Sequence, residues 1–569
     1  MPILKGSASD FTATVKGSAE VNAAVGGAVA RGGNSNPPRA SGAIAAIVTQ
    51  SAIAKSSGLQ PTRFRVLAST APAPAPAPDV PITITVSQYT GGYGDIFVVK
   101  YNRNGTVQWA RRIASSLDDK CYGVASDSNG NIYVTGFYAG ALSILAADGT
   151  TSALSLSVEG SLDMFVIKYS SDGTPLWARR LSGGSVDVAT AIVTSASGDV
   201  YVIGYTQSST FSVYAANSST VLFSTSLSGS TDAVVVKYNT DGTAQWIRRI
   251  GGTGADQGLG IATDSSNNVY VTGYLGAAGT VFATTAGTGG NLTGTNISIA
   301  SGGSNEGFIV KYASDGLPIW ARRIGGSGDQ RGMSIASDSS GNTYVCATLF
   351  GTTGSVFASD GTTVAFAIST AGSNDVVVVK YDTSGTPLWA RRIAGPNDDQ
   401  TFDIATDSSG NVYVTGQYTV SASVFTTSDG TTAALTLPSS LGAGDVFVVK
   451  YDTNGTPLWA RRIGGTAGDR GLGISTDASG NVLAIGGYNA TATVFASDGT
   501  TGVFTLTNPG TDDAYVVKYD TSGTPLWAAR ISKTIAFYEP VGISTDSNGN
   551  VIVAGAYNVA PLTIYSQGL

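Results

Sequence analysis

The chain contains no histidine, which excludes a Ser-His-Asp triad, a Cys-His dyad and any zinc or haem held by imidazole. Cysteine is almost as scarce. Cys121 and Cys346 can build neither a disulfide framework nor a four-thiolate site, and are expected to be buried small side chains. Glutamate occurs only at Glu20, Glu159, Glu306 and Glu539, and nothing marks a unique pair of the kind glycoside hydrolysis requires. Charged residues make up 12% of the chain, half the usual ~25%. The net charge of −7 and pI of about 4.8 disfavour sequence-independent binding to nucleic acid or to an anionic membrane. The longest apolar stretch, residues 42–54, is too short and too rich in small residues to span a bilayer. The opening residues MPILKGSA lack a charged region followed by an apolar run, so no cleaved signal peptide is expected.

What is present is a large supply of strand and turn residues. Hydrophobic residues account for 42% of the 569, and glycine for 74 of them, about twice its usual ~7% share. Valine, threonine, tyrosine and tryptophan favour strands, and glycine favours the tight turns between them.

Internal repetition decides the architecture. All seven tryptophans fall in one motif, at Trp109, Trp177, Trp246, Trp320, Trp389, Trp459 and Trp527, spaced by 68, 69, 74, 69, 70 and 68 residues. One unit reads as four strands: a short run ending IAT (404–406), NVYVTG (411–416), DVFVVKY (445–451) and PLWARRI (457–463). DSSGN-type turns join the first two, and DTSGT-type turns join the last two. In both, Asp can bond its own backbone two residues on and Gly supplies a positive φ. Four antiparallel strands repeated seven times predict an all-β, seven-bladed β-propeller. The chain enters the repeats at a third strand (residue 95) and leaves after a second strand (residue 557). VPITITVSQY (80–89) and PLTIYSQ (561–567) read as two halves of a hairpin found whole in other repeats. The ring is therefore expected to close by pairing N- and C-terminal strands.

The KYDTSGTPLWARRI and GIATDSSGNVYVTG segments resemble the seven-bladed β-propeller repeat (SBBP) family of bacterial and some viral surface proteins, over residues 94–569. The resemblance implies the fold strongly. It says little about function, because propellers host many activities.

The long second-to-third connections, such as 356–374 and 424–444, carry SDGTT-like turns at Asp148, Asp360, Asp429 and Asp498. They predict extra hairpins crowning one face of four-stranded blades, where binding specificity would reside. The same face carries a recurring carboxylate after each tryptophan: Asp118 or Asp119, then Asp187, Asp256, Asp329, Asp399 and Asp469. Such a ring could bind a hard cation such as Ca²⁺; the plainer reading is that each Asp orders its own loop. Each third strand has a lysine. The fourth strands carry arginine pairs whose second members are Arg112, Arg180, Arg249, Arg323, Arg392 and Arg462, reduced to Arg530 in the last copy. A basic belt for polyanions is one reading. Seven equal copies better suit a fold requirement, with long cationic side chains blunting a blade edge and packing on tryptophan.

Residues 1–70 are rich in Ala, Gly and Ser, with a short helix expected at 43–55, and residues 71–79 include APAPAPAP, an extended stalk. With so little bulky apolar surface the tail is expected to be disordered in isolation and to order against neighbouring structural subunits. The leading expectation is a non-enzymatic protein: a propeller (residues 80–569) displayed on a virion or similar extracellular surface assembly, as a fibre or decoration protein. Its hairpin-bearing face would be free for a glycan or protein receptor. The alternatives are a soluble or cell-surface glycan- or protein-binding propeller and, with least support, a glycoside hydrolase.

Overall fold

A computed structural model describes residues 3–6, 44–47, 82–84, 94–283, 294–302, 304–508, 513–532, 537–557 and 562–566. The chain divides into two units, Met1–Pro78 and Asp79–Leu569. In the first, Ile3–Gly6 pairs antiparallel with Ile44–Ile47, so the part of 43–55 that is described forms a strand where a helix was expected. The stalk at 71–79 and the rest of the tail lie outside the described residues.

The second unit is a propeller of seven sheets, and among the described residues it contains no helix. Blade one is assembled from both ends of the polypeptide. Its inner two strands are Phe537–Thr545 and Val551–Tyr557, and its third and fourth are Asp95–Tyr101 and Val107–Ala114. The seam is a full seven-residue antiparallel register from Asp95↔Tyr557 to Tyr101↔Val551. Blade seven is completed in the same way, because Ile82–Ile84 pairs with Leu562–Ile564 at its outer edge.

Each sheet has six strands. The predicted hairpins do not crown a face. Each lies along the fourth strand of the preceding blade: Thr210–Tyr214, from blade three, pairs with the end of Pro175–Gly183 in blade two through Leu181↔Val213. The fourth strand is consequently an edge only over its first half. The hairpin satisfies backbone groups that the strand would otherwise expose, and it straps every blade to the next.

The local chemistry explains the elements. Third strands such as Asp445–Tyr451 are buried along their whole length, because neighbouring blades cover both faces, and so they read as continuous apolar runs. In the first-to-second turn, Asp407 Oδ1 accepts from the backbone N–H of Ser409 and Asn411, while Oδ2 accepts from the Asn411 amide and the Tyr413 hydroxyl. Gly410 closes that turn at φ 76°, where a Cβ would be strained.

The inner strands meet around the axis in a closed circle of hydrogen bonds. The hydroxyls of Thr194, Thr263, Ser337, Thr406, Thr476 and Thr545 each donate to the matching carbonyl of the preceding blade. Ser126 donates to Thr545 at 2.8 Å and completes the circle.

Candidate functional site

The repeated tryptophans, lysines and arginines sit at the junctions between blades. Lys450 and Trp459 are cross-strand partners, and both donate to the carbonyl of Thr521 in the next blade, at 3.0 and 3.2 Å. Arg461 stacks on the Trp459 ring and donates Nε to the Gly523 carbonyl at 2.6 Å. Trp109, Trp177, Trp246, Trp320 and Trp389 repeat the contact, with acceptors on Ser171, Thr240, Ser314, Thr383 and Thr453. Trp527 closes the series on Arg103. The arginines bond turn carbonyls, while lysines meet the turn aspartates, Lys100 with Asp546 at 2.9 Å and Lys518 with Asp477 at 2.8 Å; Ala529 leaves the last junction without an arginine clasp.

The second arginine of each pair belongs to a different contact. Arg112 pairs with Asp95 at 2.8 Å, Arg249 with Asp232 at 2.7 Å and Arg323 with Glu306 at 2.8 Å. Arg180 meets Glu159 at 3.3 Å, Arg462 meets Asp445 at 3.7 Å, and Arg392 lies 4.0 Å from Asp375. Arg530 donates to Thr507. On the opposite side the guanidinium of Arg249 lies over Phe282, that of Arg323 over Phe357 and that of Arg462 over Phe495, 3.7–4.0 Å from the ring centres. These rings belong to the strapping hairpins, so cation–π contact pins each hairpin to its blade. Arg180, Arg249, Arg323, Arg392, Arg462 and Arg530 are each no more than 9% exposed. They form no basic belt on the surface.

The carboxylates are buried and separate, each at a different junction. Asp187 accepts from the Gly183 N–H at 2.6 Å and from the hydroxyls of Thr206 and Ser208. Asp119 takes the Ser115 N–H and hydroxyl, Asp256 the N–H groups of Gly252 and Gly276, Asp469 that of Gly465, and Asp399 that of Thr419. Each Asp thus caps the loop leading into its own strand. Burial pushes Asp119 and Asp399 up to about 8, Asp469 to about 7, and Asp187 and Asp256 to about 6.

Asp329 is misplaced in the predicted ring. The pairing Gly332↔Ala347, set beside Cys121↔Gly136, gives Gln330 the Asp119 position. Asp329 matches Asp118 and Asp398, which reach across the junction: Asp118 accepts the Gly94 N–H, Asp329 the Asn305 amide, and Asp398 the Ser373 hydroxyl. Asp399 Oδ2 and Asp469 Oδ1 are buried without a hydrogen-bond partner, but they lie in different blades, and the set does not fit Ca²⁺, which takes about six to eight oxygen ligands. Among the described residues no three potential ligands converge.

Residues 108–136, 245–274 and 388–417 match the family described as SBBP, Beta-propeller repeat. Three of its repeats are SBBP repeats. Each matched segment runs from the fourth strand of one blade through the second strand of the next, so the SBBP unit of sequence straddles a junction and contains its Trp-Arg clasp. The chain is 26% identical over 514 residues to "Uncharacterized WD repeat-containing protein L264" of Acanthamoeba polyphaga mimivirus, covering 82% of this chain and 37% of that protein. It is 25% identical over 169 residues to "Regulatory protein FlaEY" of Caulobacter vibrioides, covering 30% of this chain and 16% of that one. It therefore spans well under half the length of either relative. Among solved structures it is similar to the Neurospora crassa Pan2 WD40 domain at 9% identity and a TM-score of 0.31, over 78% of this chain and 90% of that one.

Several SBBP-repeat contacts were not anticipated from sequence. The hydroxyl circle and the acid at the start of each third strand each recur once per unit, and that periodicity was the available signal. The aromatic residue that closes each hairpin strand was a weaker one, because its partner lies in the preceding unit.

Proposed function

We propose that the protein is a non-enzymatic structural and recognition component, held by residues 1–79 to neighbouring subunits of a virion or similar surface assembly, with the propeller displayed. The observation that carries this reading is that the repeated polar side chains are engaged in building the ring. The lysines and tryptophans clasp turns, the arginines hold acids and hairpins, and the inner aspartates cap loops. The two glutamates whose side chains are described are also occupied in different blades, Glu159 by Arg180 and Tyr214, and Glu306 by Arg323. Neither stands free beside a second carboxyl as hydrolysis would need.

Two further facts support display. The first described strand of the propeller, Ile82–Ile84, is the outermost strand of blade seven rather than an inner one. The mimivirus relative is a protein of a virus. The test is incorporation. A chain lacking residues 1–78 is expected to fold and to be absent from native particles, whereas full-length chain is present. Incorporation of the shortened chain would end the anchoring reading.

A further inference from the structure

Between blades five and six, the face opposite the tight turns opens into a recess of about 670 Å³, in the size range of ligand-binding clefts. Its walls are the loop entering the inner strand of blade six, the connection leaving the second strand of that blade, and the segments entering the third strands of both blades. Ser373, Pro396, Asn397, Asp398, Val420 and Ala443 line it. Pro396, Asn397 and Ala443 are exposed, and Asp398 is half-buried.

Val420 holds a φ of 69°, in the left-handed region that a β-branched residue rarely enters. The register Asp399↔Tyr418 in blade six matches Gln330↔Leu349 in blade five, which sets Val420 against Gly351. In blade five, then, glycine carries the positive φ. Ser440 fixes the valine from both sides: Val420 N–H donates to its Oγ at 3.1 Å, and the Val420 carbonyl accepts from its N–H at 2.6 Å. The valine side chain is nevertheless 45% exposed, and Leu441 beside Ser440 is 52% exposed. The strained conformation therefore keeps an apolar group at the mouth of the recess rather than in the core, and strain of this kind marks binding sites. The charge of the recess has one sign. Segments 371–375, 395–399, 418–421 and 440–445 contain four aspartates and no basic residue. Asp375 and Asp445 face Arg392 and Arg462 within their own blades, and Asp399 is buried behind the wall, where it accepts the Thr419 N–H. Asp398 is different: Oδ1 accepts from the Ser373 hydroxyl, and among the described residues Oδ2 meets no donor.

We propose that this recess receives a basic side chain, lysine or arginine, of a protein partner. The cation would bond Asp398 Oδ2, a charge-assisted contact with the one carboxylate oxygen there that has no donor. Its aliphatic stem would lie along Pro396, Val420 and Ala443, and the exposed Asn397 amide would meet the adjoining peptide group. An uncharged apolar side chain would fill the same space but leave that oxygen unpaired, so the acidic lining selects the sign of the ligand. The inference deepens the recognition half of the proposed function and does not depend on anchoring.

The experiment is methyl NMR of the full chain with labelled valines. It is titrated with end-blocked Gly-Lys-Gly and Gly-Arg-Gly peptides, the same peptide carrying norleucine, and spermidine. The basic peptides are expected to shift the Val420 methyl signals saturably, and the norleucine peptide and spermidine to bind roughly tenfold more weakly or less. Asp398→Asn is expected to weaken binding by roughly tenfold. Val420→Gly should weaken it by roughly threefold without lowering the melting temperature, because glycine accepts the positive φ. No shift with either basic peptide, equal binding of the norleucine peptide or spermidine, or full affinity in Asp398→Asn would overturn the proposal. Incorporation of the chain lacking residues 1–78, with this binding intact, would instead count only against the anchoring model.

Discussion

The indole N–H of Trp527 donates to the carbonyl of Arg103 at 3.2 Å, across 424 positions of sequence. The other six tryptophans make the same bond across 62–68 positions. The molecule uses one contact seven times, and at the seventh it joins the two ends of the propeller.

Trp527→Ala should therefore cost as much as Trp389→Ala, about 3–5 kcal/mol for a large buried aromatic. Both residues are 5–6% exposed and stack on a tyrosine of the next blade, Tyr101 and Tyr451. Urea unfolding of the two variants checks this. A much smaller cost at Trp527 would mean that the seam contributes little to the ring.

Arg323→Ala would leave Glu306, which is 2% exposed, without its 2.8 Å partner, and would remove the guanidinium from Phe357. Breaking a buried pair from one side costs about 3–5 kcal/mol. Replacing both Arg323 and Glu306 with apolar residues should recover most of the ion-pair part. A double-mutant cycle in urea measures the coupling, and additive costs would refute it.

Stability should fall as pH rises from about 4 to about 8. Burial holds Asp119 and Asp399 up to about 8 and Asp469 to about 7, so the folded state keeps protons that the unfolded chain has released near pH 4. The hairpin-turn residues Asp148, Asp360 and Asp498, lowered to about 2 by hydrogen bonds from threonine, act oppositely and only below pH 4. Thermal melts at pH 5, 7 and 9 should give a descending series, flatter for Asp119→Asn. A rising series would reverse the sign.

Two glycines should differ sharply. At Gly416 an added Cβ would lie 2.0 Å from the Gln400 carbonyl oxygen, where the inner strand carries its bulge. At Gly149 an added Cβ meets nothing within 4 Å, and only the φ of +70° opposes it. Gly149→Ala should cost about 1–2 kcal/mol, and Gly416→Ala clearly more, because backbone must move. Equal melting temperatures would show that the bulge is pliable.

Much of this was legible before any coordinates. The spacing of the tryptophans, the Asp and Gly of the turns and the apolar third strands are local signals, and they specified seven blades and the strands that would close them. The same locality explains the errors. The SDGTT turns identified hairpins, yet nothing within one repeat says that Thr210–Tyr214 completes the sheet of the preceding blade. Counting residues from each tryptophan placed Asp329 in the carboxylate ring. The other members stand ten residues after their tryptophans, a place that strand register gives to Gln330; Asp329 stands at nine.

The sequence by itself determined the repeat, the strands and the turns, since each depends on residues a few positions apart. The tertiary structure decided what the charged side chains are for. Whether Arg249 is a surface cation or the buried partner of Asp232 beneath Phe282 depends on which blade the next hairpin lies against, and that is fixed by packing between units. The same holds for the hydroxyl circle, where residues as distant as Ser126 and Thr545 become neighbours because the inner strands share one centre.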